Sequence, residues 1–345
     1  MIFIGITAGD PAGIGPEILV KALSHNEIFE KSTPLVYADR IVLEEALKLT
    51  KKDFALNRIT NPEEALGKAG TIDYIEAGVI TSPGECVYGE TGSKAGDAAF
   101  KYVLRAINDA VAGKISAVVT CPISKEAINL AGHKFAGHTE IFAHYTGVKN
   151  YGMLLSAGSG AQRLNVIHVT THAALRKACD LITKERVYDT ICLAKEALRL
   201  MGCKTARIAV AGLNPHCSEN GLFGSEEEES IIPAVEKAKA QGFDVTGPVP
   251  PDTVFVKALS GRFDMVVAMY HDQGHIPLKL CGFSIGGNGS LRVSGINATI
   301  GLPVIRTSVD HGTAFDIAGK NIASEESLLD AINMAVTFAE NKLVT

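Results

Sequence analysis

The chain has 345 residues, of which 46% are hydrophobic and 21% are charged, a composition ordinary for a soluble globular protein of two domains or joined subdomains. The net charge of -5 gives no reason to expect nucleic acid, and the absence of tryptophan argues against a stacking platform for single strands. No apolar stretch approaches the roughly 20 residues that span a bilayer, and the N-terminus lacks the features of a secretion signal.

Seven cysteines are scattered along the chain, at positions 86, 121, 179, 192, 203, 217 and 281. An odd number without a C-x-x-C pair is typical of reduced thiols, and unlike a disulfide framework or a thiolate zinc site. We therefore expect a cytoplasmic protein.

Short β-branched runs alternate with longer amphipathic stretches. The predicted strands, in chain order, are Ile2–Ala8, Ala117–Thr120, Leu164–Thr170, Ala206–Ala211 and Met265–Met269. The predicted helices are Ser93–Ala112, Lys184–Met201, Glu226–Ala240 and Glu325–Glu340. This alternation predicts an α/β fold with largely parallel sheets. The Gly- and Ser-rich segment Ser284–Gly295 is predicted to be a mobile surface loop.

Three predicted strands lead into a histidine. His172 follows LNVIHVTT, His216 follows RIAVAGLNP and His271 follows MVVAMY. Because ligands in open α/β sheets gather beyond the carboxyl ends of strands, the three imidazoles are candidates for one site. Neutral imidazoles suit a divalent ion such as Zn²⁺, Co²⁺ or Mn²⁺, and Asp272 is placed to orient a ligand or a bound water.

Any one of these histidines is as well explained as a loop residue, so the metal hypothesis depends on all three converging. His275 lies four residues after His271, a spacing that would pair them on a helix. Gly274 and Pro277 argue against a helix there, so His275 is left out of the ligand set. His168 lies inside its predicted strand and is expected to be a core or cleft histidine.

A second candidate set is cationic. His138, Thr139, Lys279 and Arg306 lie next to apolar or Gly-rich segments, away from an obvious solvated helix face. Such residues can together hold a phosphate monoester, whereas each alone is explained as a surface residue. The phosphate-binding interpretation therefore depends on these four residues lying close together in the folded protein.

Two more loops follow predicted strands. Gly9–Glu17, GDPAGIGPE, enters a helix, and its glycines allow close approach of the backbone to a ligand. It matches neither the G-x-G-x-x-G nor the Walker pattern. Lys125, in TCPISKEA, is equally well an acid/base group or a surface residue at a helix N-terminus.

Taken together in chain order, seven stretches carry a family resemblance: ITAGDPAGIGPE, TCPISKEAINLAGH, GHTE, GLNPH, PPDTVF, AMYHDQG and GLPVIRTSVDHGTA. The chain resembles the 4-hydroxythreonine-4-phosphate dehydrogenase family of pyridoxal phosphate biosynthesis from Ile4 to about Glu340. The resemblance implies two α/β/α subdomains with a cleft between them, as in isocitrate and isopropylmalate dehydrogenases. It implies a first subdomain of residues 1–135 with about 305–345, and a second of about 136–304 that carries the metal histidines. It also implies a homodimer whose active site draws on both subunits, with no nucleic acid or membrane partner.

The resemblance also assigns roles to individual positions. The implied metal ligands are His172, His216 and His271, the same three found at strand ends. The implied substrate-binding residues are His138, Thr139, Lys279, Asn297 and Arg306. Candidate catalytic residues are Lys125, Asp252 and Asp272, and the SVDHGTA segment offers Ser308, Asp310, His311 and Gly312 as candidate cofactor contacts.

Several stretches, including HDQGHIPLKL and HGTAFDIA, look more like the catabolic branch of the family. The vitamin pathway enzyme often has Gly-Leu-Pro where this chain has Gly274–Pro277. The loop within Ser284–Gly295 is also longer than the family's usual connection, so that it could reshape the pocket or act as a lid.

The resemblance implies an NAD- and metal-dependent oxidation (Zn, Co, Mn or Mg) at the C3 hydroxyl of 4-phospho-D-threonate or 4-phospho-D-erythronate. Decarboxylation to dihydroxyacetone phosphate would follow. The alternative substrate is 4-phosphohydroxy-L-threonine of vitamin B6 synthesis. Less favoured are a phosphate acyltransferase-like enzyme and a non-catalytic sensor of metal and phosphate.

Overall fold

The computed structural model describes residues 2–158, 163–285, 291–293 and 295–343. Its strands are β1 Phe3–Thr7, β2 Thr33–Tyr37, β3 Ala55–Arg58, β4 Thr71–Ile75, β5 Ala117–Thr120, β6 Gly152–Ala157, β7 Leu164–His168, β8 Ile208–Ala211, β9 Val245–Val249, β10 Met265–Ala268, β11 Phe283–Ile285, β12 Leu291–Val293, β13 Ile296–Ile300 and β14 Ile305–Val309. Its helices are α1 Gly15–Leu23, α2 Glu27–Lys31, α3 Arg40–Thr50, α4 Ser93–Val111, α5 Lys125–Leu130, α6 His138–Thr146, α7 Leu175–Leu181, α8 Lys184–Leu200, α9 Ile232–Ala240, α10 Pro251–Leu259, α11 His271–Gly282 and α12 Glu326–Leu343. Short 3₁₀ turns occur at Pro62–Glu64 and Pro215–Glu219.

The five predicted strands are confirmed as β1, β5, β7, β8 and β10, and the four predicted helices as α4, α8, α9 and α12. Apart from α9, their ends differ from the predicted ones by three residues at most. The largest difference is at α9, whose predicted N-terminal part forms a separate π-helical turn at Glu227–Ile231. The predicted α/β class is therefore confirmed.

The chain divides into two compact units. Unit 1 is Met1–Lys149 with Leu302–Thr345, and unit 2 is Asn150–Gly301. Residues 136–149, which the resemblance assigns to the second subdomain, lie in unit 1, because α6 packs against α4 there.

Unit 1 contains a parallel sheet in the strand order β3-β4-β2-β1-β5-β14. Strands β2, β5 and β14 are buried along their whole length. Full burial means that helices cover both faces of this part of the sheet, as expected for parallel strands joined by crossovers. The carboxyl ends of β1, β5 and β14 consequently lie side by side at one edge.

Unit 2 contains the strand order β13-β6-β7-β10-β8-β9. The pairs from β7 to β9 are parallel, whereas β6 is antiparallel to both β13 and β7. Its core joins strand residues Val166 and Val266 to Val254 of α10 and Leu278 of α11. Helices α10 and α11 are thus held on the sheet by apolar packing.

The prediction that Gly274 and Pro277 exclude a helix is wrong, since both lie inside α11. An interior proline removes one backbone hydrogen bond and costs about 3 kcal/mol. Burial of Leu278 in the core and of Gly274 against β7 offsets this cost. Tertiary packing therefore overrides the local helix-breaking signal.

The predicted surface loop Ser284–Gly295 is corrected in part. Its flanks form two short antiparallel strands, β11 and β12, with Phe283 opposite Val293 and Ile285 opposite Leu291. Residues 286–290 and 294, to which the rest of this prediction applies, lie outside the described residues. Among the helices that the structure describes, none is long and apolar enough to cross a membrane.

Candidate active site

The three predicted metal histidines follow three neighbouring strands of unit 2. Strands β7, β10 and β8 lie next to one another and run parallel. His172 comes four residues after the end of β7, His271 begins α11 just beyond β10, and His216 lies in the turn after β8. All three therefore lie at the carboxyl edge of this sheet, where α/β proteins bind ligands.

His172 and His271 are brought close together. Their ring centroids are 5.9 Å apart and the rings are tilted by 42°. His271 Nδ1 lies 2.7 Å from Oδ1 of Asp272, so Nδ1–H donates to this carboxylate and Nε2 is left as the ligand atom. Both histidines line a pocket of about 330 Å³ that also includes Thr171 and Tyr270.

His216 lies in a turn with unusual backbone geometry. From His216 to Asn220 five consecutive residues have positive φ, between 45° and 62°. Non-glycine residues in this region cost of order 1–3 kcal/mol each and persist only where other interactions hold them. Here the buried carboxylate of Glu227 accepts hydrogen bonds from the backbone N–H groups of Leu213 and Asn214, both at 2.8 Å.

Gln273 joins this turn to the start of α11. Its Oε1 accepts a hydrogen bond from Met269 N at 2.6 Å, and its Nε2 donates to the Gly212 carbonyl at 2.8 Å. The first turn of α11 is thereby tied both to the end of β10 and to the end of β8. These bonds fix the backbone from which His271 and His216 project.

The donor set fits a divalent cation in part. Two imidazoles, one oriented by a carboxylate, are the ligands that Zn²⁺ and similar ions take. Within residues 2–158, 163–285, 291–293 and 295–343, however, no group of three or more His, Cys, Asp or Glu side chains is arranged to hold a metal. The chemistry of the His172 and His271 side chains suits such an ion, and all three histidines stay predicted ligands.

Three residues of the second candidate set lie together in unit 1, at the start of α6. Arg306, in β14, is buried, and its Nη2 donates to Thr120 Oγ1 at 2.9 Å. His138 begins α6, and burial followed by the nearby Arg306 charge holds the pKa of its imidazole well below the usual range. Thr139 follows it in the first turn of the helix. A neutral imidazole, a guanidinium and a helix N-terminus together make an environment suited to an anion.

Lys125 is the first residue of α5 and is exposed. Its Cε lies 3.6 Å from the position that a Cβ on Gly137 would occupy, so the side chain runs alongside the start of α6. The structure thus brings Lys125 to the predicted anion-binding residues of unit 1. This location makes it a candidate for a second cation there as well as for an acid/base group.

The other predicted site residues of unit 2 are spread over three elements. Lys279 lies in the third turn of α11 and is half-buried, Asn297 lies in β13, and Asp252 is the exposed second residue of α10. Asp272 is 69% exposed at the N-terminus of α11, beside His271.

The candidate cofactor residues follow β14 in unit 1. Ser308 is buried in the strand, the backbone N–H of Asp310 donates to Ser327 Oγ, and His311 Nδ1 lies 3.0 Å from the Gly312 carbonyl oxygen. The next residue, Thr313, accepts a hydrogen bond from Ile14 N in the loop after β1. The segment after β14 and the glycine-containing loop after β1 therefore contact each other.

Sequence reasoning did not single out Gln273 or Glu227 as structural supports of the site. Each is buried and polar. The only sequence signal was their position just after a buried strand or at the start of a helix, which many surface residues share.

The comparisons with known proteins agree with this architecture. The family model described as pyridoxal phosphate biosynthetic protein PdxA matches residues 30–335. D-threonate 4-phosphate dehydrogenase from Cupriavidus necator is 49% identical over 340 residues, covering 98% of each chain. 4-Hydroxythreonine-4-phosphate dehydrogenase from Desulfosudis oleivorans is 47% identical over 335 residues, covering 96% of this chain and 95% of its own.

Solved structures show the same likeness. The crystal structure of 4-hydroxythreonine-4-phosphate dehydrogenase from Klebsiella pneumoniae is 45% identical, with a TM-score of 0.84, and the match covers 98% of this chain and 100% of that one. A β-decarboxylating dehydrogenase from Thermococcus kodakarensis, 14% identical with a TM-score of 0.55, shares the fold alone. The resemblance found in the sequence is confirmed: the chain belongs to the PdxA family.

Proposed function

We propose that the protein is an NAD- and divalent-metal-dependent dehydrogenase of a four-carbon, 4-phosphorylated hydroxy acid. The proposed substrates are 4-phospho-D-threonate and 4-phospho-D-erythronate. Oxidation of the C3 hydroxyl gives a β-keto acid, which then loses CO₂ to yield dihydroxyacetone phosphate. The observation that carries the proposal is the pair His172 and His271 at the carboxyl edge of unit 2, with Asp272 orienting the second ring.

NAD and the divalent cation would have separate functions in the reaction. NAD would accept the hydride, and a divalent cation (Zn²⁺, Co²⁺, Mn²⁺ or Mg²⁺) held by His172, His216 and His271 would act as a Lewis acid. Asp272 keeps His271 in the tautomer that exposes Nε2. Lys125, Asp272 or a bound water would take the hydroxyl proton, a contribution typically worth about 10²–10⁴-fold in rate. Asp252 stays a candidate for this role.

The substrate phosphate is proposed to bind at the start of α6 in unit 1. Arg306 supplies a buried, permanently charged guanidinium, and His138 and Thr139 belong to the first turn of the helix. Lys279 and Asn297 of unit 2 are proposed to contact the rest of the substrate. Binding energy from the unreactive phosphate would position C3 for hydride transfer.

The alternative substrate is 4-phosphohydroxy-L-threonine, and the name of the Desulfosudis oleivorans relative favours it. The name of the Cupriavidus necator relative favours the sugar acid. A phosphate acyltransferase would have no use for a pair of oriented imidazoles. We also propose a homodimer, in which exposed apolar residues of α11 would be covered.

The decisive experiment measures NADH formation by the metal-loaded protein with 4-phospho-D-threonate, 4-phospho-D-erythronate and 4-phosphohydroxy-L-threonine in parallel. We expect the highest kcat/KM with a sugar acid, and loss of the reaction when a chelator removes the metal. A preference for the amino acid would instead support the alternative substrate. No reduction of NAD with any of the three would overturn the dehydrogenase proposal.

A further inference from the structure

His275 lies between two other imidazoles. It follows His271 by one helical turn, and the two rings stack with centroids 3.6 Å apart and planes within 12° of parallel. His275 Nδ1 lies 2.9 Å from the His271 carbonyl oxygen, to which it donates. The ring of His168 lies on another side, 4.8 Å from His275. His275 is thus fixed in position relative to both neighbours.

His168 provides a rigid support for this arrangement. It is fully buried at the end of β7, and its Nδ1 lies 3.4 Å from the Met153 carbonyl oxygen. Gly274 lies directly against this ring, which seats the first turn of α11 on the strand.

The stacked geometry argues against His275 as a ligand of the same ion as His271. The lone pair of an imidazole lies in its ring plane, and the planes of two stacked, nearly parallel rings do not meet near the rings, whereas the ligands of a tetrahedral ion point toward a common centre. The ring of His172 is tilted by 42° from that of His271, so one ion can lie in both ring planes. His275 therefore needs a function other than binding the same ion as His271.

His271 and the carboxylate that accepts its hydrogen bond are both partly exposed to solvent. Its side chain is 39% exposed, and Asp272, which accepts from Nδ1, is itself 69% exposed. The hydrogen bond to Asp272 restrains one edge of the ring, and the face-to-face stack with His275 adds a second restraint on the ring plane. Restricting the ring before binding removes an entropy cost that the ion would otherwise have to offset.

We propose that His275 is a positioning residue, which holds the ring of His271 in the orientation needed to share a divalent cation with His172. This inference rests on the proposed metal dependence. Outer partners of metal ligands contribute about 10–100-fold in affinity, and His275 is expected to contribute in this range.

The test measures Co²⁺ binding to the full-length protein by calorimetry and by the visible absorption of the bound ion. His275→Leu removes the ring, whereas His275→Phe keeps a flat ring and loses only the hydrogen bond. We expect His275→Leu to raise the Kd by about 10–100-fold, and His275→Phe to remain much closer to the wild type. His25→Phe, an exposed histidine of unit 1 paired with Glu325, is the matched control and should change nothing.

The outcomes are separable. If the wild-type protein binds no Co²⁺, the metal dependence itself fails. If the wild type binds and His275→Leu binds as tightly, the positioning role is overturned. If Leu and Phe weaken binding equally and the Co²⁺ spectrum shows one nitrogen ligand fewer, His275 is a ligand and the inference is also overturned. Should His275→Leu fail to fold, as judged by thermal unfolding of the metal-free protein, His275→Gln takes its place.

Discussion

Asp10 is a buried carboxylic acid in the loop between β1 and α1. Its Oδ1 accepts a hydrogen bond from Ala12 N at 2.9 Å, while Oδ2 has no hydrogen-bond partner within the part of the chain that the structure describes. Burial raises the pKa of this carboxyl from its ordinary 3.8 to about 6, against the opposing effect of the Ala12 and Ser124 backbone N–H groups. The fold therefore disfavours the ionised form.

We expect Asp10→Asn to stabilise the protein at pH 7.5. The folded state binds the proton more tightly than the unfolded state, so the stability contributed by Asp10 is highest below about pH 4 and falls as the pH rises to about 6. The difference between the two pKa values lowers the free energy of unfolding at neutral pH by about 3 kcal/mol, since each pKa unit is worth about 1.4 kcal/mol. Denaturant unfolding at pH 7.5 and pH 4 measures the free energy of unfolding of both proteins. The stabilisation by Asp10→Asn should be smaller at pH 4.

Asp73→Asn is the matched control for this prediction. Asp73 is also buried in unit 1, but its two oxygens accept from Asn57 Nδ2 at 2.6 Å and from Gly67 N at 2.9 Å. An amide there would place donor against donor, so this variant should be less stable than the wild type at both pH values. Destabilisation by Asp10→Asn at pH 7.5 would contradict the account of Asp10.

The positions of the candidate metal histidines after strands could be predicted residue by residue, and the residues that support them could not. His172, His216 and His271 follow apolar runs, and that pattern alone places them at strand ends. Gln273, by contrast, acts through Gly212, more than sixty residues away in sequence, so only the folded chain shows it. The carboxylate of Glu227 likewise supports the turn before His216 through a hydrogen bond from Leu213 N, which only the folded chain shows.

At the scale of the element, α11 depends on a glycine that looked like a helix breaker. A Cβ on Gly274 would lie 2.3 Å from His168 Nε2 and 2.8 Å from Val166 Cγ1. His168 is fully buried in β7. Glycine at this position is therefore required by the close approach of the helix to the strand.

We expect Gly274→Ala to destabilise the protein. Alanine favours a helix by up to about 1 kcal/mol over glycine, but overpacking a close contact costs about 1–3 kcal/mol, so the net effect should be a loss. Thermal unfolding measures it. Gly92→Ala is the control, since a Cβ there meets nothing within 4 Å. A Gly274→Ala protein as stable as the wild type would show that α11 can shift away from β7.

The same helix explains which elements could be predicted from sequence. Strands such as β5 and β10 are continuous apolar runs, and their burial on both faces follows directly from that pattern. In α11 the local signals of Gly274 and Pro277 oppose the tertiary contacts, and the tertiary contacts decide. The pairing of His271 with His275 was missed for this reason.

At the scale of the whole molecule, the two units are separated by no linker that composition could reveal, because unit 2 is inserted between two parts of unit 1. Their existence followed from the family resemblance and from chain length. The position of α6 in unit 1 depends on its contact with α4, which no local pattern encodes.

Helix α11 also presents an apolar surface to solvent. Ile276 is 60% exposed and Leu280 is 76% exposed, and a spacing of four residues places them on one face of the helix. Lys279, a proposed substrate contact, lies beside them on the same helix. Neighbouring exposed apolar side chains are typical of an interaction surface, and the proposed homodimer would cover these two.

We therefore expect Leu280→Glu to shift the protein from dimer to monomer. Burying a leucine contributes about 1.5–3 kcal/mol, and a symmetric interface would contain the residue twice, so a charge there should weaken association strongly. Light scattering after size-exclusion chromatography measures the mass, with Leu66→Glu, 64% exposed in unit 1, as the control.

A dimer that persists in Leu280→Glu would place the interface elsewhere, and a monomeric wild type would exclude the homodimer. If activity falls with dimer content across dilution, the active site also depends on both subunits.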